Sequence, residues 1–267
     1  HPRGNIMHKT LLAASGALAL AAALATSASA ATLFHENFDA AKLDDMWNLE
    51  QDSGNGAGPP EWVHEDGIIS QIQPVPGDPT YAIIQGVDWP DSYGVVCKIR
   101  IDDWEDHDRS RAGVGMWIDE ATAQGYTWLI HERLTATNME FLNDARAWAN
   151  GEESYEVVLG EWYWIKSFID ADTGEFLGKI WDADEAEHDP SLTDEPAGWL
   201  GAIQYGTVGG IRLPTSWAGL NGGAGTGAGH STASFDDVFV FDIDGPEELA
   251  VEANGKASTT WGALKSR

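Results

Sequence analysis

The sequence predicts an all-β protein built as a two-sheet antiparallel sandwich, and three observations carry that prediction. Runs in which apolar and polar residues alternate recur along the chain, as half-buried strands require. Gly- and Pro-containing turn signals separate these runs, and almost nothing recurs at helical spacing. The alternation also stands at two opposite ends of the chain, in Phe34-His35-Glu36-Asn37-Phe38-Asp39 and in Ser234-Phe235-Asp236-Asp237-Val238-Phe239-Val240-Phe241-Asp242. A sandwich whose first and last strands meet would bring carboxylates together there.

The 267 residues divide into three parts. Residues 1–30 read as an export leader with upstream residues. Met7-His8-Lys9 is a positive start, Leu11 to Leu24 an apolar run, and Ala28-Ser29-Ala30 a small-residue cleavage site. That run is too short to span a bilayer, and no later stretch could, so the expectation is cleavage after Ala30 and a secreted or cell-surface protein. Residues 31–244 suit one large all-β domain. Residues 245–267, a polar segment with the lone Trp261, read as a flexible tail.

The formal net charge is −28, and loss of Arg3 and Lys9 with the leader leaves −30. So acidic a chain disfavours nucleic acid and anionic membrane surfaces as partners, since both are polyanions. One cysteine excludes an internal disulfide. Cys97 shares a face with Tyr93, Val95, Ile99 and Ile101, which marks a buried small hydrophobe rather than a nucleophile.

The elements follow in order. Glu61 to His64 and Ile68 to Ile72 flank Asp66-Gly67, a hairpin signature. Tyr81 to Ile84 and Tyr93 to Asp102 are strands. Ala112 to Ile118 and Tyr126 to Arg133 are expected to neighbour each other, followed by a short strand at Met139 to Leu142. Asn150-Gly151 reads as a turn. Trp162 to Asp170 and Phe176 to Trp181 form a hairpin around Ala171-Asp172-Thr173-Gly174, with Gly174 at positive φ. Asp182 to Pro196 is an acidic connector, Trp199 to Gln204 and Gly210 to Leu213 are short strands, and Leu220 to Gly229 is a glycine-rich loop.

Most catalytic signatures are absent. There is no His-Glu-x-x-His pair, no Gly-x-Ser-x-Gly elbow and no phosphate-binding loop. Binding is more legible. With Tyr93, Val95, Cys97, Val114, Met116, Tyr126 and Phe141 in the core, the opposite face would carry Lys98, Arg100, Trp117, His131, Arg133 and Glu140. Aromatic faces stack on sugar rings while fixed polar groups bond hydroxyls, so these residues, with Trp148 and Trp217 as further platforms, are the candidate ligand site. Several bases on one face of an acidic protein suggest an anionic ligand such as a uronate or a sulfated glycan. Trp47, Trp62, Trp162 and Trp181 are assigned to the core.

Glu36-Asn37-Phe38-Asp39, Trp62 through Asp66-Gly67-Ile68-Ile69, Tyr93 to Ile101, Arg111 to Met116, Gly160 to Lys166 with Lys179-Ile180-Trp181, and Phe235-Asp236-Asp237-Val238 occur in an order that resembles the concanavalin A-like, laminin-G-like jelly rolls of secreted bacterial proteins. The resemblance spans roughly 32–244. It implies two antiparallel sheets and a role in binding or processing glycans. One branch of that group, the 3-keto-disaccharide hydrolases, carries an Asn-Ser-Gly phrase with a closing Arg, and Arg111 to Trp117 lacks both the Asn and that Arg. The resemblance further implies a structural calcium between first and last strands, with Glu36, Asp39 and Asp236 at the matching places. The functional expectation is a non-catalytic domain that binds an extracellular polysaccharide or serves adhesion. The alternatives are a glycan-cleaving hydrolase or lyase of the same fold and a structural module without a small ligand.

Overall fold

The computed structural model describes residues 32–49, 61–73, 81–87, 89–104, 110–118, 125–133, 136–143, 147–204, 217–221 and 231–242. The leader, the tail and the expected strand at 210–213 lie outside these residues. In chain order the described strands are β1 (Thr32–Glu36), β2 (Trp47–Asn48), β3 (Glu61–Glu65), β4 (Ile68–Gln73), β5 (Tyr81–Ile84), β6 (Tyr93–Asp103), β7 (Arg111–Ile118) and β8 (Tyr126–Arg133). They continue as β9 (Ala136–Asn143), β10 (Ala147–Ser154), β11 (Trp162–Asp170), β12 (Glu175–Asp182), β13 (Gly201–Gln204), β14 (Trp217–Asn221) and β15 (Thr232–Asp242). Among the described residues no helix is long and apolar enough to cross a membrane.

The strands form two antiparallel sheets. One runs β13-β12-β11-β6-β15-β4-β3, with β1 also on β15, and the other runs β10-β9-β8-β7-β14-β5-β2. The ends of the domain therefore meet as expected: Phe34 pairs with Val240 and Glu36 with Val238. Both expected hairpins form, and Asp66, Gly67 and Gly174 take the positive φ their turns require.

Alternation along each strand sends one set of side chains between the sheets. Val95, Cys97 and Ile99 of β6 and Ile165 of β11 meet Val114 and Met116 of β7 and Trp128 of β8 in one core cluster. Fully burying such a side chain is worth about 1.5–3 kcal/mol. Three local departures from alternation shape the rest. Asn150-Gly151 is not a turn but lies within β10, where residues 150–152 stand opposite Glu140 alone. In β7, Met116 and Trp117 together oppose one residue of β14, with Trp117 at φ 48°, so both turn inward. In β15, Asp237 and Val238 together oppose Cys97, with Asp237 at φ 46°. Such bulges re-aim side chains.

Trp128 of β8 reaches across to the other sheet. Its indole N–H donates to the Lys179 carbonyl at 3.2 Å. Its ring rests on Gly178, where a Cβ would come within 2.3 Å of the indole. Glycine is needed there for space, not for turn geometry. Gly178→Ala is expected to lower stability by about 1–3 kcal/mol through overpacking. Thermal unfolding should show this as a melting temperature lower by several degrees, at roughly 2–4 °C per kcal/mol for a domain of this size.

Candidate functional site

The residues expected on one ligand face divide between the two sides of the sandwich. β6 belongs to the eight-stranded sheet, so Lys98 and Arg100 point outward there. β8 and β9 belong to the seven-stranded sheet, so His131 and Glu140 point outward on the other side. Trp117 joins neither: its bulge carries it into the core, 1% exposed, edge-on to Tyr126 and Phe176. It cannot serve as a stacking platform. Arg133 ends β8 opposite Ala136, Trp148 lies in β10 opposite Leu142, and Trp217 lies in β14 opposite Ile118.

The outward face of the eight-stranded sheet is aromatic and covered. Val96, Trp164, Trp181, Phe239 and Phe241 form a second apolar cluster there. Trp162 and Trp181 are thus buried, as expected of core residues, but Trp181 belongs to this outer cluster and Trp162 lies against Lys98 and Arg100. The acidic connector, residues 183–200, is fastened across this face. Lys98 donates to the Glu185 carbonyl at 2.9 Å, Trp181 to Thr193 Oγ1 at 2.9 Å and Lys179 to the Pro196 carbonyl at 2.9 Å. Glu195 accepts from Lys166 at 2.7 Å and pairs with Lys179. Burial works to raise the Glu195 carboxyl, but the two lysines outweigh it and hold it below its ordinary value.

At the centre of this covered face the β15 bulge places two consecutive carboxylates on one side. Lys98, 1% exposed, lies 3.5 Å from Asp236 and 3.8 Å from Asp237. His188 of the connector reaches Asp237 Oδ2 at 2.9 Å through Nδ1. Burial first, and the neighbouring Asp236 charge second, push the Asp237 carboxyl up to about 7. Burial also raises Asp236, against the pull of Lys98. Arg100 is bound to Asp102 at 2.6 Å. Two of the bases expected to meet an anionic ligand, Lys98 and Arg100, are therefore engaged with acids of the chain itself.

The calcium ligands do not converge. Paired residues share a face, so Glu36 lies on the side of core residue Val238, while Asp236 turns outward beside Lys98. Glu36 accepts from the Phe38 amide at 2.9 Å, and Asp39 accepts from Asn37 at 2.8 Å. Among the described residues, donors for a cation gather instead at His188, Asp236 and Asp237, whose ligand atoms lie within 4.8 Å of one another.

The seven-stranded sheet carries a different arrangement outward. Arg111 is the backbone partner of His131, and His131 of Asn138. His131 Nδ1 lies 3.1 Å from Glu140 Oε1, and the Asn138 amide donates to Glu152 of β10. Arg111, His131, Asn138 and Glu140 are buried, and Glu152 brings the row out to solvent. Rigid adjacent strands thus hold a guanidinium, an imidazole, an amide and two carboxylates in one line. Sequence reasoning found His131 and Glu140 in this row but missed Arg111, Asn138 and Glu152. The alternation of Arg111 with Ala112, Val114 and Met116 was the available signal for the first.

Two antiparallel sheets, with first and last strands paired and one outward face lined by fixed polar groups, define a concanavalin A-like jelly-roll domain. No protein-family model matches the sequence, and no curated protein does. Among solved structures, the Bacteroides ovatus xyloglucan PUL GH43B is similar at TM-score 0.50 and 14% identity, over 78% of this chain and 39% of that one. A xylan β-1,4-xylosidase from Bacillus halodurans C-125 gives 0.49 and 12%, over 77% and 38%. The carbohydrate-binding module CBM66 from Bacillus subtilis gives 0.45 and 13%, over 68% and 91%. The chain thus spans under two-fifths of the length of those two larger proteins. At such identities the likeness concerns the fold.

Lys98 offers a direct test of the buried cluster. Lys98→Met removes the ammonium that faces both carboxylates, and breaking a buried pair from one side costs about 3–5 kcal/mol. Urea unfolding should report that loss, whereas Arg100→Ala, at a part-exposed pair, should cost about 1 kcal/mol or less.

Proposed function

We propose that the chain is an exported, non-catalytic carbohydrate-binding domain whose ligand face is the outward side of the seven-stranded sheet. The observation that carries this reading is the row Arg111–His131–Asn138–Glu140–Glu152, whose first four members are buried and whose exposed Glu152 is the end a ligand would meet. Its donors and acceptors are fixed on strands rather than loops, which suits a ligand read through hydroxyl positions. The leader-like residues 7–30 support export. The ligand class follows from the charges. Lys98 and Arg100 belong to the other sheet and are bound to aspartates, and the row sets bases beside acids. A neutral polyhydroxylated glycan fits it better than a uronate or a sulfated chain.

The test is incubation of the full chain with a panel of neutral and anionic polysaccharides, scoring retention and depolymerisation together. Retention by neutral polysaccharides without chain shortening is expected. Glu152→Ala, at the exposed end of the row, should weaken retention about tenfold, the loss of one hydrogen bond to a charged group. Arg100→Ala, on the opposite sheet, should leave retention unchanged. Depolymerisation would replace this reading with the glycan-cleaving one, with Glu140 and Glu152 as the carboxylates to examine. No retention by any polysaccharide would leave the structural module.

A further inference from the structure

We infer that His188, Asp236 and Asp237 form a binding site for a zinc-type divalent cation, which staples the 183–200 connector to the middle of the eight-stranded sheet. This site is independent of the glycan face and lies on the opposite side of the sandwich.

The donor set is built by the fold. The β15 bulge places Asp236 and Asp237 on one face, and the connector brings the His188 ring to them, with all three ligand atoms within 4.8 Å of one another. The chain itself leaves these carboxylates incompletely bonded. Asp237 is 1% exposed, and its Oδ1 is buried without a hydrogen-bond partner among the described residues. Asp236 uses Oδ1 to accept the Asp237 amide at 2.7 Å. Its Oδ2 faces Lys98 at 3.5 Å and His188 at 3.9 Å, too far for good hydrogen bonds. Lys98 spends a hydrogen bond on the Glu185 carbonyl and contributes one positive charge against two negative ones. A buried carboxylate oxygen without a donor is costly, and a cation removes that cost.

The ligand types select the metal. One imidazole nitrogen and two carboxylates match zinc, which takes three protein ligands and leaves a position for water. Calcium and magnesium prefer all-oxygen shells with more ligands than this cluster holds. His188 is 65% exposed, so a metal can enter from solvent without opening the core.

The experiment is calorimetric titration of the full chain, stripped with chelator, with zinc chloride and separately with calcium chloride, alongside thermal unfolding in each salt. One zinc per chain, a melting temperature several degrees higher, and at least tenfold weaker binding of calcium are expected. His188→Ala, at an exposed position where folding is not at stake, should weaken zinc at least tenfold. It should also abolish the visible absorption of cobalt placed in the same site. Glu36→Gln should change neither result. The inference is overturned if zinc gives no heat and no thermal shift, if His188→Ala binds zinc as wild type does, or if calcium binds more tightly.

Discussion

A strand cannot present consecutive side chains to one face unless its alternation is broken, and β15 breaks it at Asp237. The interruption sits in the middle of the eight-stranded sheet, where β15 has β6 on one side and β4 and β1 on the other. The left-handed backbone at Asp237 costs conformational energy in a residue other than glycine, although Asp tolerates it better than most. What it gains is a charge arrangement: two carboxylates on the same side as Lys98, within reach of a histidine from the connector. Move the register by one residue and Phe239 and Phe241 would trade faces with Val238 and Val240, exchanging outer cluster for core.

That arrangement explains why the two sides of the sandwich differ. The eight-stranded sheet turns Trp164, Trp181, Phe239 and Phe241 outward, an apolar patch that a lone domain would not leave bare. The connector covers it, and the lysines at positions 98, 166 and 179 fasten the cover through backbone carbonyls and Glu195. Basic residues that resemble a recognition patch in the sequence are fasteners in the fold. The seven-stranded sheet turns a smaller apolar cluster outward, Tyr81, Ile83 and Ile118, all buried. Beside that cluster runs a line of mixed polar groups that reaches solvent at Glu152.

Much of the fold was legible because alternation and turn chemistry are local. β6, β7, β8, the two hairpins and the β1–β15 closure could all be read from residue patterns. The partition of residues between sheets was not, because period-two alternation tells which residues share a strand face and says nothing of which sheet that strand joins. Lys98 and His131 alternate alike yet end on opposite sides of the molecule. The bulges were illegible for a related reason. Trp117 and Asp237 carry no glycine to announce an irregular backbone, so strict alternation sent Trp117 outward and kept Asp237 from joining Asp236. Asn150-Gly151 erred in the other direction, as turn-prone residues absorbed within a long strand. His188 offered no signal at all, since its partners lie about fifty residues away.

The central place of β15 also bears on how the chain reaches its native state. The strand that pairs with β1, β4 and β6 is the last one described, so β1 and the β3–β4 hairpin cannot join the β13-β12-β11-β6 half of their sheet until nearly the whole domain has been made. Contacts this distant in sequence make for slow folding. A sandwich that closes only when β15 arrives stays incompletely folded for longer during synthesis, the condition in which a chain can still be threaded through a narrow translocation pore. Late closure and passage across a membrane are thus mechanically compatible in this molecule.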